Sequence, residues 1–479
     1  MLSVRLSQPP NIVAIDLGAE SCRVSLLQWN GETPHIDLIH RCGNGPVKRG
    51  HSLHWNIDHL IKNVQIGLGL CAGRVSGPIA SIGVDGWAVD YVRLNGDGVR
   101  IGEPFCYRDE RTLASEAEVH EICPAAFLYG QTGVQPLRIN TLYQLIADRQ
   151  AGIPGHYRWV NLPEYLLSQL GGRLVAELTN AAHTGLLDVR SNAWNEDVFE
   201  CAGLDLHAAP ELVPTGADVG SVSAELQTLR PFRETRLIAP ACHDTASAVA
   251  GIPANDDNWG YISSGTWSLP GALLDQPVAS DDARSAGFTN LRAAGGQYCF
   301  HKNVNGMWLL KQVQMQLCPD GNVWDMPELI AAAEKIPPPR ALLDVDHPAL
   351  LLPGNLASPI NRQLQEQGVA AIPEDAASLP AFASLIFHSL AHRYGEVLHE
   401  VGRLSGRPLE RIYIVGGGSL NPLLNRLTAD ATALPLSCGV VESSTIGNFA
   451  VQLAALEGAH NGRDRIQHWA SVLTSSAKC

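Results

Sequence analysis

NIVAIDLGAESCRVSLLQW, Asn11 to Trp29, reads as an apolar strand ending on Asp16, a small turn at Gly18 to Ser21, and a second strand from Arg23 to Trp29. Downstream, Leu60, Ile61, Val64, Ile66, Leu68 and Leu70 predict a helix over Ile57 to Leu70. Ile79 to Asp85 follows as a short buried strand. Alternation of strand and helix favours a layered α/β sheet. The same plan returns in WGYISSGTWSL, Trp259 to Leu269, about 250 positions later. A long amphipathic helix within Ala371 to Gly406 and the strand-to-glycine run RIYIVGGGS from Arg411 continue that second copy. Two such hairpins imply two similar α/β halves facing each other.

The expected division is an N-terminal lobe over residues 1–245, a C-terminal lobe over 246–456 and a tail over 457–479. Residues 145–235 read as an insertion on the first lobe, with Leu162 to Leu170 helical and Ala176 to Val189 loop and strand. Pro337 to Pro373, rich in Pro, Asp and Gln, reads as an exposed insertion, and a helix is expected near Phe449 to Leu456. The tail carries no identifiable chemistry.

With 479 residues the chain exceeds the size of a single hydrophobic core. A formal net charge of -14 disfavours nucleic acid or an anionic membrane as partner, since both require a basic face. The expected partners are small molecules, for a monomer or small homo-oligomer. The N-terminal lead has no apolar segment of signal-peptide type, and no window approaches ~18 uninterrupted apolar residues, so a cytoplasmic location is expected. Eleven scattered cysteines (22, 42, 71, 106, 123, 201, 242, 299, 318, 438 and 479) form no CxxC pair and read as reduced thiols, with an incidental disulfide as the alternative.

P-loop, dinucleotide-fingerprint and HExxH patterns are all absent. The turn Asp16-Leu17-Gly18-Ala19-Glu20-Ser21-Cys22-Arg23 offers instead glycine, hydroxyl, amides and a guanidinium suited to a phosphate tail, with Asp16 placed to hold water on magnesium. Alone it reads rather as an ordinary glycine-containing β-turn. Ser263-Ser264-Gly265-Thr266 presents similar groups in the equivalent place, and the two turns together favour a triphosphate site. Gly416-Gly417-Gly418 after the strand Ile412 to Val415 suits an adenine or ribose, although glycines at a helix start also serve packing.

A sugar hydroxyl needs a carboxylate to take its proton. Asp85 in GVDGWAVDY and Asp244 in PACHDTASAVAG are the candidates. Asp244 follows a strand at Arg236 to Ala239 and precedes a small-residue helix, which favours it as the base; a plain helix N-cap is the alternative. His388 and His392, spaced i, i+4, read as polar-face residues rather than zinc ligands, and Trp259, Trp267 and Trp308 as core.

VAIDLGAESCRV, SIGVDGWAVDYV, YRDERT, GVQPLRINTLYQL, HDTASAV, YISSGTWSL, KNVNGMWLL, IVGGGSLNPLLNRLTADA and VESSTIGN stand in the order of, and together resemble, the FGGY carbohydrate kinases, most closely the rhamnulokinases among them. The resemblance implies a two-lobed actin/hexokinase-type fold of ribonuclease H-like lobes, with sugar and ATP meeting in a cleft. It implies ATP and magnesium, and phosphoryl transfer to O1 of a ketose, L-rhamnulose giving L-rhamnulose 1-phosphate. It makes Asp244 the proton acceptor, with His243, Thr245, Asn303 and the Asp85–Ala88 stretch at the sugar. Ala19, Glu20, Ser21, Cys22 and Arg23 would bind the phosphate tail, and Thr266 and Gly417 the nucleotide. Lys311 falls where the family usually has a glutamine on the nucleotide side.

This chain departs from the family's DTWGVD pattern at Gly86, where the lost threonine would open room and delete a hydroxyl, and at Ala88, whose methyl would narrow the space against the sugar, while Asn305 replaces a usual apolar residue and would make the wall more polar. Each change is of a kind that moves discrimination by about 1–3 kcal/mol, so L-fuculose or another ketose is an alternative substrate. Two other classes compete: a non-catalytic nucleotide or sugar sensor, and a hydrolase pairing Asp85 with Asp244.

Overall fold

The computed structural model describes residues 10–254, 256–319, 321, 324–351, 354–459 and 462–476. Cys479 and the lead before Pro10 lie outside the described residues. Strand β1 (Asn11–Leu17) pairs antiparallel with β2 (Ser21–Asn30), and β2 with β3 (Thr33–Gly43). On its other edge β1 runs parallel to β4 (Ile79–Gly86), so that Asp16 pairs in register with Asp85. Strand β5 (Ala217–Ser221) and strand β6 (Arg236–Ala239) complete the sheet in the order β5-β6-β4-β1-β2-β3.

Alternation along β1 places Val13, Ile15 and Leu17 in a core shared with Val24 and Leu26 of β2. Helix α1 (Ile57–Arg74), capped by Asn56, adds Leu60, Val64 and Leu68 to it. The helix approaches β2 so closely that a Cβ on Gly67 would sit 2.6 Å from Val24.

The chain divides into two compact units. The first holds Met1–Asn255, Leu274–Cys299 and Glu442–Cys479; the second holds Asp256–Leu273 and Phe300–Val441. Residues 442–456, expected with the C-terminal lobe, thus group with the N-terminal sheet.

Three local expectations are corrected. Residues 176–189 are helical over half their length, with α2 (Leu178–Ala181) running into a 3-10 turn at Ala182–Thr184 after a short strand, Val175–Glu177, and the remainder is turn and loop. The segment 337–373 carries a helix, α3 (Ala357–Glu366), which buries Ile360 and Leu364. Cys123 and Cys201 form a disulfide across 78 residues, while Cys22, Cys42, Cys71, Cys106, Cys242, Cys299, Cys318 and Cys438 are free.

In the second unit β7 (Trp259–Ser264) pairs antiparallel with β8 (Trp267–Leu274) and parallel with β9 (Arg411–Val415), which in turn pairs with β10 (Leu436–Cys438). The expected long helix is Leu379–Ser405. The hairpin plan therefore recurs as read, a mixed α/β fold in two units. Trp259 is buried as expected, but Trp267 is 42% exposed at the mouth of the second hairpin.

Candidate active site

The first unit gathers eleven of the residues singled out in the sequence around the ends of β1, β4 and β6. Gly18 N–H donates to Ser21 O at 3.1 Å, closing the first turn, and a Cβ on Gly18 would lie 2.7 Å from that oxygen. Asn44 ties the turn from outside, through its side chain to Gly18 O and its amide to Glu20 O, both at 2.9 Å. Ser21 and Cys22 are buried, Ala19 and Arg23 partly so, and Glu20 is exposed. Burial lifts the Cys22 thiol far above its ordinary range, so it is a neutral packing group.

Arg23 Nη1 donates to Asp16 Oδ2 at 2.8 Å, and Arg23 Nε lies 3.5 Å from Glu442. The guanidinium is thereby already paired with a carboxylate. Ser444 Oγ donates to the same Asp16 oxygen at 2.8 Å. Asp85 is completely buried; Asn448 Nδ2 donates to its Oδ2, while Oδ1 is buried without a protein partner. Burial and the Asp16 charge hold the Asp85 carboxyl well above the usual carboxylate range. Among the described residues no group of three or more His, Cys, Asp or Glu side chains is arranged to enclose a metal ion. The oxygen-only donors Asp16 and Asp85 fit a magnesium that keeps most of its water shell and is held mainly by phosphate.

Helix α4 (Asp244–Ala250) starts where β6 ends. His243, not Asp244, is its N-cap; Asp244 is the first helical residue, which removes the plain N-cap alternative. Asp244 Oδ1 lies 3.3 Å from His243 Nε2 and accepts from Thr245 Oγ1 at 3.3 Å, and the Thr245 amide also donates to the carboxylate. About 35% of the Asp244 side chain stays accessible. Its buried surroundings, and then the Asp16 charge, push the carboxyl up to about 7.

Ala88 sits in a tight turn after β4. Val89 takes φ 69°, a left-handed conformation costly for a β-branched residue. Asp90 holds it: Trp87 Nε1 and the Tyr107 amide donate to Oδ2 at 3.0 and 3.2 Å, Trp55 Nε1 donates to the same oxygen, and Gln144 donates to Oδ1 at 3.0 Å. Thr141 Oγ1 donates to Val89 O at 2.7 Å. The NTLYQL motif thus supports the Ala88 turn. In YRDERT, Arg111 donates to Asp148 at 2.6 Å and stacks over Phe105.

Two substrate-selecting expectations change. A Cβ on Gly86 would lie 2.7 Å from Leu17 Cβ and 2.9 Å from Leu17 O, so position 86 offers no space that a lost threonine has opened. Asn305 is buried and spent locally, its Nδ2 donating to Leu350 O at 2.9 Å and its Oδ1 accepting from Gly306 N at 3.2 Å. It pins a loop rather than adding polarity to a sugar-facing wall.

In the second unit the turn Gly265–Thr266 lies between two flanking segments. On one side Gly416 and Gly418 press on Ser264, where added Cβ atoms would come within 2.7 Å of its carbonyl and 2.0 Å of its hydroxyl. Gly417 between them is exposed, and a Cβ there would meet nothing within 4 Å. On the other side Met307 N–H donates to Gly265 O at 3.2 Å and opens the helix that carries Lys311. Asn303 and Lys311 are both exposed. Packing explains two of the three glycines; only Gly417 presents bare backbone.

The sequence reading gave no role to Ser444, Asn448 or Glu442, although VESSTIGN was conspicuous. Their partners lie more than 360 positions away, which no local pattern reveals.

Residues 11–251 match the family model described as the FGGY family of carbohydrate kinases, N-terminal domain, and residues 260–456 match its C-terminal domain. The chain is 38% identical over 451 residues to a rhamnulokinase of Pectobacterium carotovorum subsp. carotovorum (strain PC1), covering 93% of this chain and 88% of that protein. The fold is similar to a ligand-bound xylulose kinase from Lactobacillus acidophilus, with TM-score 0.77, 16% identity, and coverage of 96% of this chain and 92% of that one. It is also similar to a Plasmodium falciparum glycerol kinase with ADP, with TM-score 0.74, 15% identity, and coverage of 97% and 92%. Two hairpin-centred α/β units, a partly accessible carboxylate at a helix start and these matches lead to one conclusion: the chain belongs to the FGGY family of carbohydrate kinases and is a sugar kinase.

Proposed function

We propose that the chain transfers the γ-phosphoryl group of ATP to O1 of a ketose, L-rhamnulose first among the candidates, with Asp244 as general base. The observation that carries this reading is Asp244 itself. His243 and Thr245 hold its carboxylate, part of the side chain is open, and its carboxyl is pushed up to about 7, a value matched to taking a hydroxyl proton near neutral pH. As the sugar oxygen attacks phosphorus its proton passes to the carboxylate, and ADP leaves. L-Rhamnulose ranks first because the 38% identical relative is a rhamnulokinase.

In this reading His243, Thr245 and Ala88 line the sugar, with Asn303 offering an amide from the second unit. Ala19 to Arg23 bind phosphate through their backbone, and Arg23 orients Asp16. Asp16 meets water on the magnesium that arrives with ATP, where the ion would neutralise phosphate charge. Thr266, Gly417 and Lys311 belong to the nucleotide. Asp85, buried completely, supports the floor of the sugar site rather than touching the sugar. The same burial disfavours a hydrolase pairing Asp85 with Asp244.

The test is ADP formation over a panel of 6-deoxy and ordinary ketoses. Turnover should require a ketose and fall about two to four orders of magnitude in Asp244→Asn, with ATP affinity nearly intact. Ketose-independent ATP hydrolysis, or an Asp244→Asn variant within a few-fold of wild type, would overturn the reading.

A further inference from the structure

The segment after Val175, which carries no motif for sugar or nucleotide, surrounds His243. Glu177 is completely buried, and its Oε2 accepts from the amides of Thr179 and Cys242, each at 3.0 Å, and from the Thr179 hydroxyl. Thr215 donates to its other oxygen. Thr179 Oγ1 in turn accepts from His243 N–H at 3.3 Å. Glu177 and Thr179 therefore fix the backbone on which His243 stands. Four residues on, His183 Nε2 lies 3.1 Å from His243 Nδ1, the rings crossing at 61°. The far nitrogen of His243, Nε2, faces Asp244 Oδ1.

A neutral imidazole has one donor and one acceptor nitrogen, so whatever sits at Nδ1 decides what Nε2 offers. The structure assigns to His183 the role of a positioning residue: its Nε2–H donates to His243 Nδ1, which leaves the His243 proton on Nε2, aimed at Asp244. This inference rests on Asp244 being the base. In that tautomer His243 donates to Oδ1 of the ionised carboxylate and holds it for the sugar hydroxyl. With the proton on Nδ1 instead, a lone pair would face the carboxylate and turn Oδ1 away. The charged groups acting on Asp244 besides the two histidines include Asp16 and Asp85, which favour its protonated form, and Arg23, which opposes that. His183 thus acts at one remove.

The experiment compares wild type with His183→Leu, which removes the donor, and His183→Gln, which keeps an N–H near the place of Nε2. Imidazole nitrogen shifts of the labelled proteins report the His243 tautomer with no substrate present. Wild type and His183→Gln should carry the proton on Nε2, and His183→Leu should show it on Nδ1 or divided between the two nitrogens. In turnover, His183→Leu should lower kcat about tenfold and raise the acidic limb of the kcat/KM profile by about one pH unit, because a hydrogen bond to the ionised carboxylate is lost. His183→Gln should restore both. Wild-type His243 protonated on Nδ1, or a tautomer unchanged in His183→Leu, would overturn the assignment. If the tautomer result holds while Asp244→Asn remains fully active, the assignment of the base falls and the His183–His243 link stands.

Discussion

Asn448 Nδ2 lies 2.6 Å from Asp85 Oδ2, a hydrogen bond spanning 363 positions and closed on the far side by Gln452. It places the C-terminal VESSTIGN motif against the strand that ends in the GVD motif. Asp85 has no other side-chain donor on that oxygen, and its second oxygen is already orphaned. Asn448→Ala should destabilise the first unit by about 2 kcal/mol, the usual cost of leaving a buried polar group unpaired. Urea denaturation measures it, and a loss under ~0.5 kcal/mol would mean that water replaces the amide.

As the proposed base, Asp244 should set the acid limb of turnover. Only the ionised carboxylate accepts a proton, and the folded carboxyl is pushed up to about 7. kcat/KM should therefore climb with pH through about 7 and level off above it, while ATP affinity stays flat over the same range. A limb near the ordinary carboxylate value would show that Asp244 is not raised in the free enzyme.

Glu164 governs stability in the same pH range. It is completely buried and pushed up to about 8, chiefly by burial. The native state thus binds its proton more tightly than the unfolded chain, so the stabilisation is full at low pH and fades as pH rises toward 8. Between pH 5 and 8 one such group contributes a slope of at most about 1.4 kcal/mol per pH unit. Glu164→Gln should flatten that slope, and an unchanged slope in denaturation curves would point to another group.

With Gly86 and Asn305 accounted for by packing, Ala88 is the departure left to test for substrate choice. Ala88→Gly should shift relative kcat/KM among ketoses toward L-rhamnulose, about tenfold for ~1.4 kcal/mol. Gly86→Thr should instead lower the yield of folded protein, since its Cβ would meet Leu17 at 2.7 Å. An unaltered ranking in Ala88→Gly would leave residue 88 a packing position.

Both hairpins were legible because period-two apolar strands around a glycine turn leave a local signature. Asp244 was legible too, since a strand end, an acid and a small-residue helix lie side by side. Residues 176–189 misled because Glu177, Thr179 and Asn180 look like loop residues, although all three are buried in hydrogen bonds. The Cys123–Cys201 pair and the Asn448–Asp85 contact depend on distant segments meeting. Gly86 and Asn305 misled in another way: their neighbours, Leu17 and Leu350, decide what each position tolerates, and neither neighbour lies beside them in sequence.

Helix α5 (Ser443–Leu456) has a consequence for the order in which the protein matures on the ribosome. Its Gln452 donates to Val13 O on β1, Ser247 Oγ of α4 donates to its Ser444 O, and a Cβ on Gly447 would fall 1.7 Å from Ser247 O. Helix α6 (Arg463–Ser476) then covers it, with Trp469 edge-on to Trp29 of β2. The opening strands emerge first, yet their cover is translated last. Through most of synthesis β1 and α4 therefore wait for the helix that packs on them. A stop codon before residue 443 would remove that helix for good, even though every residue of the Asp244 helix had been made.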